Sequence, residues 1–303
     1  MINRMGGLNS RGIRIQIFTF EDEWQGEFAT GPGSEDDQFT VPVCIAISED
    51  DLVYITDEYL NEVKVFDTQG NFIRKWGTSK EKKPELQGPS GIAHGIDGSV
   101  YIAEQYANKV SRYTKDGELI SSWGEKGKAP GQFNLPWGIS IDHFGNVYIA
   151  DWRNDRIQKF SADGEFLMKF GSSGTENGQF DRPSSVAVDA HGDIYVCDWG
   201  NDRVQLFNPD GRYVEQFIGD ANLSKSGLTY VLANQATLRL REMADLAPTK
   251  RLRSPIAIKV DSDFRLYICD FGSHRIQVYK KEAYPLSEDQ IAPPLRNPVL
   301  FTT

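Results

Sequence analysis

Apolar and polar residues alternate along most of this chain in short runs, four to a unit, and the unit itself recurs. The clearest copy is "LPWGISIDHFGNVYIADWRNDRIQKFSADGEFLMKFG" at 135–171, followed at 182–217 by "RPSSVAVDAHGDIYVCDWGNDRVQLFNPDGRYVEQF". Runs rich in Val, Ile, Tyr and Phe, bounded by Asp/Gly/Asn clusters, predict β-strands joined by tight turns. In the first copy they are strands a (138–142), b (146–151), c (156–160) and d (165–170). Pro42, Pro89, Pro136 and Pro183 recur 47 residues apart. Four strands at that period predict a propeller blade rather than a helical repeat.

The pattern "P-x-G-I-A-V-D … G-N-V-Y-V-A-D … N-R-I-Q-V-F … G" that these copies follow resembles the NHL repeat, over residues 9–280 apart from one insertion. The resemblance implies an all-β fold, a six-bladed β-propeller of four-stranded antiparallel blades. It is less informative about activity, since NHL propellers serve as sensor domains of bacterial receptor kinases, as RNA- and protein-binding ends of tripartite-motif proteins, and as an amidating lyase. The units divide the chain into a half-blade (1–38), blades at 39–85, 86–132, 133–179, 180–221 and 252–283, a helical insertion (222–251) and a tail (284–303). Residues 14–28 match only strands c and d, so the first blade is expected to be incomplete at the N-terminus, as if the chain began inside it. The last blade shows a to c, and the tail segment "PLRNPVLFTT" is an alternative filler for one of the gaps.

A residue type that recurs in every blade is expected to be structural, because a site breaks the symmetry of a repeat. Trp76, Trp123, Phe170 and Phe217 end strand d and are expected to wedge between blades. Asp57, Glu104, Asp151, Asp198 and Asp270 end strand b, and Glu62, Lys109, Arg156, Arg203 and Arg275 follow five residues later. An Asp and an Arg at that spacing can tie down a loop by charge-assisted hydrogen bonds. Asp116-Gly117, Asp163-Gly164 and Asp210-Gly211 read as turns between c and d.

Composition narrows the function classes. A formal charge of −10 disfavours nucleic acid as a partner. No apolar run is long enough for a membrane helix, and "MINRMGGLNSRG" lacks the apolar centre of a secretory signal, so a cytoplasmic location is expected. Three cysteines suit buried thiols in a reducing compartment better than a disulfide framework.

No catalytic residue, metal site or cofactor is assigned. In the NHL-type amidating lyase the position after the blade proline can carry a zinc-binding His, but here it holds Val43, Ser90, Trp137, Ser184 and Ile256. His94, His143, His191 and His274 fall in different blades, and no nucleophile elbow is present.

Loops joining b to c, and d to the next a, gather on one face of a propeller, where variation between blades marks what is recognised. The residues after the strand-b acid include Tyr59, Tyr106, Trp152 with Arg153, Trp199 and Phe271. With Trp137 they predict an aromatic surface for a protein, peptide or small ligand, although the same aromatics could merely cap the blades. The insertion lengthens one crossing by 25 residues. Leu240, Met243, Ala244 and Ala247 there lie at helical spacing before Pro248, which predicts one amphipathic helix. Arg239 and Arg241 make it locally basic, suited to an acidic partner or simply solvated. A non-catalytic binding, sensor or scaffold propeller is the leading expectation; the alternative is a propeller hydrolase or lyase with an atypical metal site.

Overall fold

The computed structural model describes residues 2–4, 12–19, 23–29, 31–77, 86–223 and 225–281. It begins with a sheet of β1 (Ile2–Arg4), β2 (Ile13–Phe18) and β3 (Trp24–Phe28). Three four-stranded antiparallel blades follow: β4 (Pro42–Ile47) to β7 (Phe72–Trp76) through β5 (Val53–Asp57) and β6 (Glu62–Phe66); β8 (Pro89–His94) to β11 (Leu119–Trp123) through β9 (Val100–Glu104) and β10 (Lys109–Tyr113); and β12 (Pro136–Ile141) to β15 (Phe166–Phe170) through β13 (Val147–Asp151) and β14 (Arg156–Phe160). A fourth comprises β16 (Pro183–Val188), β17 (Ile194–Asp198), β18 (Arg203–Phe207) and β19 (Tyr213–Phe217). The last has three strands, β20 (Pro255–Val260), β21 (Arg265–Asp270) and β22 (Arg275–Lys280). Strands β4, β8, β12, β16 and β20 each pack on the next in line, as inner strands around an axis do.

The expectation of six blades is corrected to five. A blade needs an inner strand, and only five proline-led strands exist among the described residues. The N-terminal sheet supplies the equivalents of b, c and d: its pairing of Ile15 with Phe28 repeats that of Ile157 with Phe170. Ile13 and Ile15 pack with Phe39, Val53, Ile55 and Phe66 of the first blade, so the sheet is held there by apolar burial.

Two repeated devices hold the blades together. The first is the aromatic that ends strand d. Trp76 lies 4.8 Å from Tyr113, Trp123 5.9 Å from Phe160, Phe170 4.8 Å from Phe207 and Phe217 6.0 Å from Tyr279, each contact crossing to the following blade. Trp76, Trp123 and Phe170 also lie over the c-to-d turn of that blade, where a Cβ added to Gly164 (φ +88°) would come within 2.6 Å of Trp123. Gly164 is thus required twice over, for its positive φ and for the ring above it. Gly164→Ala is expected to cost about 1–3 kcal/mol in denaturant unfolding, whereas Gly98→Ala, with φ +78° but open space around it, should lose only the backbone part.

The second device is the acid at the end of strand b. Asp198 accepts from the Asp181 amide at 2.8 Å on one oxygen, and from Asn201 (2.9 Å), Arg203 (2.7 Å) and Gln205 (3.1 Å) on the other. Arg203 in turn donates to the carbonyls of Glu176 and Gln179 in the crossing loop, both at 2.9 Å. Asp151 and Arg156 repeat this arrangement. The first blade substitutes Lys64, fully buried, which reaches the Glu35 and Gln38 carbonyls and the Glu62 carboxylate.

The insertion differs from its expectation. It forms three helices, α1 (Lys225–Ala233), α2 (Gln235–Met243) and α3 (Ala247–Lys250), instead of one. Asn234 breaks the first two apart with an extended backbone (φ −120°, ψ 97°), and Pro248 opens α3 instead of ending a helix, since its missing N–H is harmless in a first turn. Leu240 and Met243 are exposed at 71% and 85%, so their spacing does not mark a buried face.

Candidate functional site

The loop face is built by turns that the latch holds rigid. Asp151 and Asp198 each lead into a single 3₁₀ turn, Trp152–Asn154 and Trp199–Asn201, closed by a left-handed Asp155 (φ 50°) or Asp202 (φ 54°). Those last aspartates bond the crossing into the next blade: Asp155 accepts from the Arg182 amide at 2.7 Å, and Asp202 from that of Ser254 at 2.6 Å. Each tryptophan is therefore fixed at both ends of its turn.

Trp137, Trp152 and Trp199 come together as a row, with ring centroids 6.0 Å and 6.5 Å apart. All three are half-buried. The exposed Arg153 lies over Trp152 at 4.7 Å, and Arg182 lies over Trp199 at 4.5 Å, so two cations stack on the row. Arg182 is paired with Asp181 at 2.8 Å. Beside the row lies a depression of about 180 Å³ lined by Lys128, Arg153, Asn154, Asp155, Arg156 and Ser173. Arg156 is committed to Asp151 and to three loop carbonyls, which leaves Lys128 and Arg153 as the exposed cations of this wall. The Asn154 carboxamide donates to Gly127 and Asp151, while its oxygen finds no hydrogen-bond partner among the described residues.

The other expected residues do not join this row through ring contacts. Tyr59 and Phe271 are exposed at 68% and 52%, and Phe271 meets the His274 ring edge-on at 6.4 Å. Tyr106 donates its phenol to Glu58; that hydrogen bond, with burial, pushes its pKa up to about 12. Arg239 and Arg241 lie on α2, which packs on α1, and neither makes a hydrogen bond, ion pair or ring contact with the tryptophans. Sequence reasoning missed Arg182, Lys128 and Asn154. Arg182 stands directly before the blade proline, where Leu135 and Ser254 are its counterparts, and only its departure from them could have flagged it.

The histidines are dispersed. His94 ends β8, His143 and His191 are exposed in a-to-b turns, and His274 is exposed in a b-to-c turn. Among the described residues no three His, Cys, Asp or Glu side chains are grouped as a metal site would need. Among them, too, no helix is long and apolar enough to cross a membrane.

The NHL repeat model matches residues 133–160 and 180–207, the two units that carry the tryptophan turns. The chain is a β-propeller carrying NHL repeats. Solved propellers resemble this one across most of its length. Virginiamycin B lyase from Staphylococcus aureus matches with a TM-score of 0.56 at 14% identity, covering 94% of this chain and 88% of that one. A propeller in a nidogen/laminin complex gives 0.58 at 17%, covering 90% and 87%. A protein of unknown function from Bacteroides caccae gives 0.56 at 15%, covering 89% and 81%. At such identities the likeness shows the fold alone. A comparison with curated proteins by sequence finds no match.

Proposed function

We propose that this NHL propeller is a non-catalytic binding or scaffold module whose loop face recognises a protein or peptide. The observation that carries the reading is the tryptophan row with Arg153 stacked on it, beside a depression whose wall offers two exposed cations, Lys128 and Arg153. Rigid half-buried tryptophans offer apolar area at small entropic cost, and Arg is the charged residue most favoured at such anchors. An extended segment with an acidic side chain for Lys128 and Arg153 and an apolar residue for Trp152 would satisfy both features. One of the similar propellers was solved in a protein complex, which accords with this use of the fold.

Selection from a displayed peptide library on the purified chain is the direct test. Acidic peptides carrying an apolar residue are expected to be enriched, and Trp152→Ala with Arg153→Ala should weaken them about a hundredfold, two anchor side chains at about 1.4 kcal/mol each. Its melting temperature should stay nearly unchanged, because both side chains lie outside the blade cores. Equal binding by this variant would remove the reading. A stoichiometric divalent ion in protein purified without chelator would favour the lyase alternative instead.

A further inference from the structure

The insertion is where the 47-residue period breaks, and it stands on a closed stem. At its base the Leu252 amide donates to the Ile218 carbonyl at 2.8 Å and the Ala221 amide to the Lys250 carbonyl at 3.1 Å, with Lys250 paired to Asp220 at 3.3 Å. Arg275 adds hydrogen bonds to the Thr249 and Arg251 carbonyls at 2.7 and 2.6 Å. Its helices lie among the described residues, as the tail at 284–303, expected as a filler for one of the gaps, does not. Above the stem α1 packs on α2, and Val231 is the one described side chain of the pair that is buried. Nine-residue helices are marginal in water unless a face of each is covered. The face left open here is apolar. On α2, Ala236, Arg239, Leu240 and Met243 recur at intervals of three and four, share one side of the helix and are all exposed, Leu240 at 71% and Met243 at 85%. On α1, Leu228, Tyr230 and Leu232 are exposed as well. Five large apolar side chains left open between residues 228 and 243 mark a surface that meets something other than water.

We propose that this helix pair docks on an anionic lipid bilayer, with Leu240 and Met243 entering the headgroup boundary and Arg239 and Arg241 meeting the acidic headgroups. Charge selects the occupant. From Asp220 to Arg253 the chain carries six Lys and Arg against three Asp and Glu, the reverse of the −10 of the whole. Neither Arg239 nor Arg241 makes an ion pair or hydrogen bond among the described residues. Arg239 shares the exposed side with Met243, whereas the acid of α2, Glu242, comes two positions after Leu240 and falls on the opposite side of the helix. Acidic residues elsewhere on the propeller act weakly at this distance, since salt screens exposed charges beyond about 8–10 Å. Shape points the same way. Side chains as accessible as Leu240 and Met243 stand proud of their surroundings, and a fluid bilayer moulds itself to such a tip, whereas a folded acidic partner has to bring a matching groove. Apolar side chains at the acyl boundary and cations at the headgroups then add to one another, and a single docked element of this size binds reversibly.

Sedimentation of the full chain with lipid vesicles tests the proposal. The chain should pellet with vesicles of phosphatidylcholine and phosphatidylserine at least about tenfold more strongly than with phosphatidylcholine alone, and the difference should shrink as salt is raised. Leu240→Ser with Met243→Ser, and separately Arg239→Gln with Arg241→Gln, should each weaken binding to the mixed vesicles about tenfold. Melting temperatures should hold in both, since none of the four side chains is buried. Trp152→Ala with Arg153→Ala should pellet as the parent does, which separates this surface from the peptide site. The proposal is overturned if the parent stays in the supernatant, if it pellets equally with both lipids, or if neither helix variant loses binding. A parent that ignores vesicles but dimerises through Leu240 and Met243 in sedimentation velocity would assign the face to a second copy. One that ignores them but binds polyglutamate through Arg239 and Arg241 would assign it to an acidic protein.

Discussion

Replacing Asp198 with alanine is expected to destabilise the folded chain by about 3–5 kcal/mol in urea unfolding, the usual result of stripping one partner from a buried ion pair. The carboxylate is fully buried and so, nearly, is Arg203, at 7% side-chain exposure. Removing Asp198 leaves that guanidinium facing protein without a counter-charge, and leaves the Asp181 amide, the Asn201 carboxamide and the Gln205 carboxamide each short of an acceptor. Because the same oxygens anchor the turn of Trp199 and the crossing into its blade, peptide binding should fall along with stability. Asp181→Ala, which removes the acid from the exposed pair with Arg182, should cost less than about 1 kcal/mol. A loss of similar size in both variants would show that the latch does not hold the loop face.

Acidification supplies the second large effect. His94 ends β8 with its ring edge-on to Tyr54 at 4.6 Å, and its Nε2 is buried without a hydrogen-bond partner among the described residues. Burial holds its pKa down to about 4 from the ordinary 6.5, with Asp50 pulling upward and Lys259 downward. Between those values the unfolded chain binds a proton that the folded chain refuses, so stability rises with pH across the window and is lost as pH falls from 6.5 to 4. The loss amounts to about 3 kcal/mol. Asp97, held at about 2 by the Ser99 and Arg112 bonds that outweigh its burial, acts only below this window. Unfolding curves of the parent and of His94→Gln, taken at pH 7 and pH 4.5, should converge in the difference: the variant's stability changes less over that interval. Parallel curves would remove His94 as the source.

How far the sequence could be read differs from element to element. Strand b of the third complete blade was expected at 146–151 and runs Val147–Asp151; strand c was expected at 156–160 and runs Arg156–Phe160. Period-two alternation and turn residues are local signals, and each strand carries its own. The wedge aromatics and the Asp–Arg latch were equally legible, because repeated copies of one unit carry an aromatic at the end of strand d, an acid at the end of strand b and, in three copies, an Arg five residues later. The insertion was not, since it occurs once. Leu240 and Met243 sit at helical spacing yet face solvent, and a spacing alone does not say whether a neighbour exists to cover it.

The candidate site divides along the same line. Trp137, Trp152, Trp199 and Arg153 could be named from their positions in the repeat, but their meeting at 6.0 and 6.5 Å depends on how adjacent blades are rotated about the axis. Arg182 is marked in the sequence only by its departure from Leu135 and Ser254, which says nothing of Trp199 beneath it, and the unmatched oxygen of Asn154 carries no sequence signal. Blade number likewise required the tertiary structure, since residues 14–28 look like part of a blade in any local window, and what disqualifies them is that no inner strand pairs with their sheet among the described residues. The sequence by itself determined the repeating strand unit and the buried residues that close it, because these depend on contacts within about fifty residues. The tertiary structure decided which blades adjoin and which side chains meet across them, because that depends on the rotation between one blade and the next, which no local stretch of sequence carries.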